Sequence, residues 1–361
     1  MNQMTDRQRP RTSALLAAGL CLAMGLSMAR RAPADDNFSF HGRIYADVTA
    51  KENKDKGTDT KSNDSGFGTD IKRVYLEFGY KVDNVWSAHF VSDIGDKGTK
   101  RYDIFVKKAY LEANFSKMAD LRIGSTDLPW IPFVEHQYGY RYLENTLVDR
   151  QKFGTSADWG IHMKGGNDKV QYAFGVINGK GYSDPTRTQS VDFEGRLSFT
   201  PVKGFTLGLG GYSGKLGKDL AATPALHTAT RFDALVNYHS DHINIGGEYF
   251  SADNWNNVTS VMTDSADGVS FWASAPVSKV ELFARFDQTN PSKDLNPDLK
   301  STYYHAGVQF KPAKLLTVAV AFKHTTVDSG LGGKDGGGVG SSVPGAKGEA
   351  NEFGVWAQYK W

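Results

Sequence analysis

Cysteine is almost absent: Cys21 is the only one in 361 residues, and it falls in a stretch that reads as removable. Arg7, Arg9 and Arg11 precede an apolar run from Ala14 to Ala29, and Ala32-Pro33-Ala34 follows it. Basic, apolar and small-residue segments in that order are the parts of a secretory signal. Residues 1–34 are therefore expected to be a signal peptide, cleaved after Ala34. Leu20 stands before Cys21, where a lipoprotein signal needs a small residue. The mature chain, 35–361, then has no disulfide, no thiolate metal site and no haem-attachment motif.

Long apolar runs are missing too. After the N-terminus nothing looks like a membrane helix, and the mean hydropathy is −0.44. Charge of one sign is not in excess either, since residues 35–361 carry 37 Lys and Arg against 39 Asp and Glu. An obligate polyanion binder would show a basic surplus, and no nucleic-acid module is present. Catalytic motifs are lacking: there is no Gly-x-Ser-x-Gly elbow, no His-Glu-x-x-His pair and no phosphate loop, and Gly208-Leu209-Gly210-Gly211 lies inside a strand pattern. Asp59 to Asp64 carries Lys61 where a calcium loop needs an oxygen, and the nine histidines show no metal spacing. No enzymatic activity, cofactor or metal is expected.

What the chain does have is alternation. Phe353, Val355, Ala357, Tyr359 and Trp361 share one face of the last segment, and Glu352, Gly354, Gln358 and Lys360 the other, the period of a β-strand. An apolar strand at the chain end needs pairing on both edges, which closure of a barrel supplies. Similar segments recur throughout: 38–50, 74–82, 85–94, 105–115, 121–126, 157–165, 170–178, 191–200, 205–213, 230–239, 243–251, 268–275, 280–287, 303–311, 316–325 and 353–361. Tight turns such as Asp83-Asn84 and Ser240-Asp241-His242 alternate with longer polar loops, of which the Gly-rich 328–348 reads as a mobile external loop. Aromatic residues gather at strand ends, among them Phe38, Tyr80, Phe115, Tyr238, Phe310 and Tyr359. The fold expected is an all-β, 16-stranded antiparallel transmembrane β-barrel of a bacterial outer membrane, with fourteen and eighteen strands as the neighbouring counts. Its contacts include membrane lipid. Its terminal aromatic residue resembles the signal that such barrels present to the outer-membrane insertion machinery.

One connection, about 127–156, is too long and too apolar for a solvated tip. Leu143 and Leu147 at i,i+4 predict a short helix that packs on a wall. As the third external loop, folded inward, it would narrow a pore and present Glu135, Arg141, Glu144, Asp149, Arg150 and Lys152. The polar faces of the strands place Arg43, Arg73, Lys108, Arg122, Lys164, Arg196, Arg231, Arg285 and Lys323 on the lumen wall. They share it with Asp47, Glu77, Glu112, Asp158, Glu194, Asp233, Glu248 and Asp287. Such a wall either pairs its charges as bracing or orders a field across the pore that favours polar and charged solutes.

Ile71-Lys72-Arg73-Val74-Tyr75-Leu76-Glu77, Lys108-Ala109-Tyr110-Leu111-Glu112, Leu121-Arg122-Ile123-Gly124, the Pro132-Phe133 of the long loop, Trp159-Gly160-Ile161 and Tyr172-Ala173-Phe174-Gly175-Val176-Ile177-Asn178-Gly179 occur in an order that resembles the phosphate-selective porin O/P family. The resemblance implies a trimeric sixteen-stranded channel in a Gram-negative outer membrane, with an inward third loop. Small polar or charged solutes, anions such as phosphate among them, would diffuse through it passively. Phosphate porins have a strongly basic path, from which the lumen acids depart, although Arg73, Arg122, Arg141 and Arg150 could form a local anion ladder. The alternative is a barrel that serves as scaffold or sheath for a surface or electron-transfer partner.

Overall fold

The computed structural model describes residues 36–96 and 102–361, so the expected signal segment lies outside the described residues. Sixteen long strands follow one another: β1 (Phe38–Asp55), β2 (Gly66–Lys81), β3 (Trp86–Asp96), β4 (Tyr102–Ser116), β5 (Ala119–Asp127), β6 (Ala157–Gly166), β7 (Val170–Ile177) and β8 (Asp192–Phe199) form the first half. The second half is β9 (Phe205–Gly214), β10 (Ala229–His239), β11 (Asn244–Asp253), β12 (Ser265–Val277), β13 (Val280–Asn290), β14 (Leu299–Ala313), β15 (Leu316–Ser329) and β16 (Lys347–Lys360). Each expected strand is present. Several run longer than the alternation indicates, because outside the membrane the strands continue as polar hairpin arms with no apolar face to mark them.

Neighbours pair antiparallel in chain order, and β16 pairs with β1 from Arg43↔Lys360 to Asp55↔Gly348. The sheet is therefore a closed 16-stranded antiparallel barrel, with no exposed edge. Trp361 exchanges both backbone hydrogen bonds with Gly42, each 3.1 Å, and its ring lies against Phe40. Connections at one end span two residues (117–118) to five (200–204), whereas all but one of those at the other span eight (291–298) to twenty-nine (128–156). The faces separate by polarity: along β13, Leu282 and Phe286 are exposed on the outside, and Arg285 and Asp287 are buried within. No helix among the described residues is long and apolar enough to cross a membrane; the strands do so instead.

Among the described residues the ladder shifts register at four places; two, at 114–116 and 310–313, adjoin short turns, and two β-bulges interrupt the alternation within the wall. Tyr45 pairs with Arg73 and Ala46 with Ile71, leaving Lys72 as an extra residue. Val91 pairs with Lys108 and Ser92 with Val106, leaving Lys107 extra. An extra residue changes the face on which the following alternation runs. In consequence Lys72 joins Arg73, and Lys107 joins Lys108, on the inner side.

The 128–156 connection contains two helices, α1 (Ile131–Tyr138) and the single turn α2 (Leu147–Arg150). Leu143 and Leu147 are both buried, but only Leu147 is helical, so the expected i,i+4 helix is not formed. Instead Pro132 in the first turn favours α1. Gly139, at φ +84°, ends it, donating its N–H to the Glu135 carbonyl at 2.9 Å. The Gly-rich 330–346 connection is packed in part, with Asp335, Val339 and Ser341 buried while 342–345 are exposed.

Candidate functional site

The 128–156 segment is fastened to inner-face residues of β8 to β15. Trp130 donates its backbone N–H to Glu194 at 3.0 Å and its indole N–H to Glu248 at 2.8 Å. Tyr140 and Tyr142 donate hydroxyls to Glu281 and Gln309 at 2.5 and 2.8 Å. Asn244 donates to the Gln137 carbonyl at 2.9 Å. The glycine run singled out in the sequence has its explanation here. A Cβ at Gly210 would lie 2.5 Å from the Trp130 ring, and one at Gly208 2.6 Å from Phe133, so bare backbone in β9 makes the seat for these two aromatic residues of the loop.

Four of the expected lumen cations serve this fastening. Arg196, Arg231, Arg285 and Lys323 donate to the carbonyls of Pro129, Phe153, Asn145 and Leu143 at 3.0, 2.6, 2.6 and 2.9 Å. They do lie on the inner wall, but beneath the loop. Arg231 also pairs with Asp233 and Glu194, Arg285 with Asp287, and Lys323 with Glu144 and Glu352. The charges of these three are thereby compensated in a place where an unpaired one would be very costly. Among the described residues Arg196 instead meets only Ser198 and the Phe133 ring, 4.2 Å from its centre, besides the Pro129 carbonyl.

Opposite this anchored side, against β16 and β1 to β5, the loop leaves an open cavity of about 340 Å³. Three ion pairs line it: Arg43–Glu77 at 2.7 Å, Lys108–Asp127 at 2.6 Å and, on the loop, Arg141–Glu135 at 2.6 Å. Lys107 and Lys360 also line it, and among the described residues neither has a carboxylate within 4.0 Å. Tyr45 and Tyr75 add ring faces. The lining carries five Lys and Arg against three carboxylates, a local surplus of cations that the whole-chain balance conceals.

Of the expected constriction residues, Glu135 and Arg141 therefore meet at the cavity. Asp149 stands behind them, 3.8 Å from Arg141. Burial acts to lower the Arg141 pKa, but Glu135 and Asp149 outweigh it and raise it above the ordinary value. Burial raises the Asp149 carboxyl, opposed by Arg141. Glu144 does not line the cavity. Burial opposes its ionisation, but Lys323, Lys72 and Arg150 hold it well below the usual carboxylate range. Arg150 is buried, 4.0 Å over the Tyr303 ring and 3.6 Å from Asp335. Lys152 is exposed, away from the cavity.

Of the remaining wall cations, Arg73 pairs with Asp93 at 3.0 Å, Arg122 with Glu112 and Asp120 at 3.1 Å each, and Lys164 with Asp120 at 3.3 Å. Lys72 and Lys107 were not on the expected wall. Their signal was nevertheless present, since two adjacent basic residues in a spanning strand leave one facing lipid unless the strand bulges.

A family model described as phosphate-selective porin O and P matches residues 38–223. No curated protein sequence matches the chain. Among solved structures, an anion-selective porin from Comamonas acidovorans is similar over 90% of this chain and 99% of that one, with a TM-score of 0.64 and 13% identity. The outer-membrane channel DcaP of Acinetobacter baumannii gives 0.60 and 11%, over 90% and 97% of the two chains. In-vitro folded OmpT of Vibrio cholerae gives 0.57 and 18% with the same coverage.

Proposed function

The chain belongs to the phosphate-selective porin O and P family and is an outer-membrane channel of a Gram-negative bacterium, and from that premise we propose that it is a passive diffusion porin preferring small hydrophilic anions, phosphate among them. The path is the cavity between the 128–156 loop and the wall of β16 and β1 to β5, with the loop acting as the constriction. The observation that carries this reading is the cavity's lining of five cations against three carboxylates.

An anion entering the cavity loses part of its hydration shell, and the surplus positive charge compensates for that loss. A cation would have to compete with Arg43, Lys108 and Arg141 for carboxylates already in close pairs. The paired charges keep the path polar without trapping a solute, and conduction requires sites that also release. Screening limits the reach of each unpaired lysine to about 8 Å at physiological ionic strength, so only residues at the cavity itself select. A homotrimer is the proposed assembly, supported by the trimer form described for OmpT of Vibrio cholerae.

Planar-bilayer recording of the purified protein tests the proposal. Stepwise conductance with a reversal potential of anionic sign in a potassium chloride gradient, and block of chloride current by added phosphate, are expected. A cationic reversal potential, or no conductance, overturns it.

A further inference from the structure

We propose that Lys107, turned inward by a β-bulge, sets the charge preference of the path, a step that rests on the anion-porin reading above. Above the bulge Ile104 and Val106 are exposed on the outer face, and below it Leu111 is. Phe105 and Lys107 therefore face inward above, and Lys108 and Tyr110 below. The pairing of Val91 with Lys108 and of Ser92 with Val106 gives Lys107 no partner on β3. Without that extra residue, alternation would direct one of two adjacent lysines at lipid, where charge is costly.

Lys72 results from the same device on β2 and differs in outcome. Its ammonium meets Asp47 at 3.0 Å, and the bulge there yields one more internal pair. The carboxylates near Lys107 are engaged elsewhere, Asp93 by Arg73 and Asp127 by Lys108. Lys107 instead donates to the Tyr75 hydroxyl at 3.3 Å and lies 4.7 and 5.8 Å from the ring centres of Tyr75 and Tyr182. Aromatic faces hold an ammonium in place by their quadrupole without cancelling its charge. The Tyr75 oxygen accepts from Lys107, leaving the phenolic proton for an acceptor that passes. Lys107 is thus a positioned cation at the cavity with no carboxylate of its own in contact, whereas Arg141 on the loop faces both Glu135 and Asp149.

The test is the chloride-to-potassium permeability ratio of the full-length protein, purified from outer membranes and reconstituted in planar bilayers, with the folded fraction read from heat-modifiable gel mobility. Removing one unit charge about 6 Å from a passing ion should disfavour chloride about threefold and favour potassium about threefold in water-like dielectric, lowering the ratio about tenfold. Lys107→Gln is expected to show that drop, and Lys107→Arg to keep the wild-type ratio. Lys169→Gln, the same charge change at the exposed turn before β7, should also keep it. A second variant changes the charge in the folded channel itself. Lys107→Cys places the one thiol in a mature chain without cysteine. Its thiolate attacks a methanethiosulfonate reagent, forming a mixed disulfide and releasing methanesulfinate. An ammonium-bearing reagent should restore the ratio, and a sulfonate-bearing one should depress it further.

An anion-selective wild type whose ratio is unchanged in folded Lys107→Gln, or indifferent to the sign of the thiol reagent, overturns the role of Lys107 and leaves the porin reading standing. A wild type without anion preference overturns both.

Discussion

Arg285 grips Asp287 with two hydrogen bonds of 2.7 Å and with a third, at 2.6 Å, holds the backbone carbonyl of Asn145. A strand charge pair thus becomes a clamp on the loop. Asp287 fixes the guanidinium in its plane, and what remains of the donor fork points at the carbonyl between α1 and α2. Arg231 works in the same way, held by Asp233 while it donates to Phe153 at 2.6 Å.

Removing one partner of such a buried pair leaves an uncompensated charge, a cost of about 3–5 kcal/mol. Arg285→Met is therefore expected to lower the temperature of the heat-modifiable gel transition and to add current noise in single-channel records. Replacing both partners, as Arg285→Met with Asp287→Leu, removes the stranded charge and should recover part of the stability while the noise persists, because the Asn145 carbonyl still lacks its donor. Equal noise in wild type and both variants would count against the clamp.

The loop is also held by the 330–346 connection. Gly336 donates to the Gln151 side chain at 3.0 Å, and a Cβ there would stand 2.5 Å from the Gln151 backbone. Asp335 receives Ser301 at 2.8 Å and pairs with Arg150. Gly336→Ala should push the 330–346 loop off its contact, at about 1–3 kcal/mol for overpacking, and make residues near Gln151 more open to proteolysis in intact cells. Cleavage at wild-type rates would show that this contact does not restrain the loop.

Acidification should act on the cavity in a set order. Asp149 has a raised pKa, from burial, so it loses its charge above the ordinary aspartate value of about 3.9, while Arg141 stays charged. As pH falls towards that range the loop therefore becomes more positive, and the anion-to-cation permeability ratio should rise. Glu144 has a lowered pKa. Its stabilising contribution is complete above the unfolded glutamate value of about 4.3 and fades only as pH falls through the lower folded value. The loop should accordingly stay fastened while selectivity shifts. Reversal potentials measured between pH 7 and 4 decide this, and a ratio that falls with acidification would contradict it.

Much of the fold was legible because a lipid-facing strand has to announce itself residue by residue. Leu282 and Phe286 outside, Arg285 and Asp287 inside, is a pattern imposed by two solvents on a period of two, and the closing strand with Trp361 obeys it. The polar hairpin arms, such as the upper ends of β1 and β2, lie beyond the lipid and carry no such mark. The 128–156 loop was legible as a packed segment, since Trp130, Tyr138, Leu143 and Leu147 are too apolar for water. Its helix was misplaced, because burial of Leu143 and Leu147 comes from the wall and not from a shared helical face.

By itself the sequence determined the barrel, its inward and outward faces and the presence of an unusual third loop, since each of these follows from local periodicity and composition. The strand pairing settled sixteen over fourteen or eighteen. Only the tertiary structure decided which inward cations line the open cavity. Arg196, Arg231, Arg285 and Lys323 read identically to Arg43 and Lys108 along their strands, and differ only because the loop docks on one side of the barrel and leaves the other open. Lys107 reached the cavity through one extra residue in a ladder, a change of face that β4 marks only by its adjacent lysines and a shift in apolar phase, and that the register with β3 fixes in place.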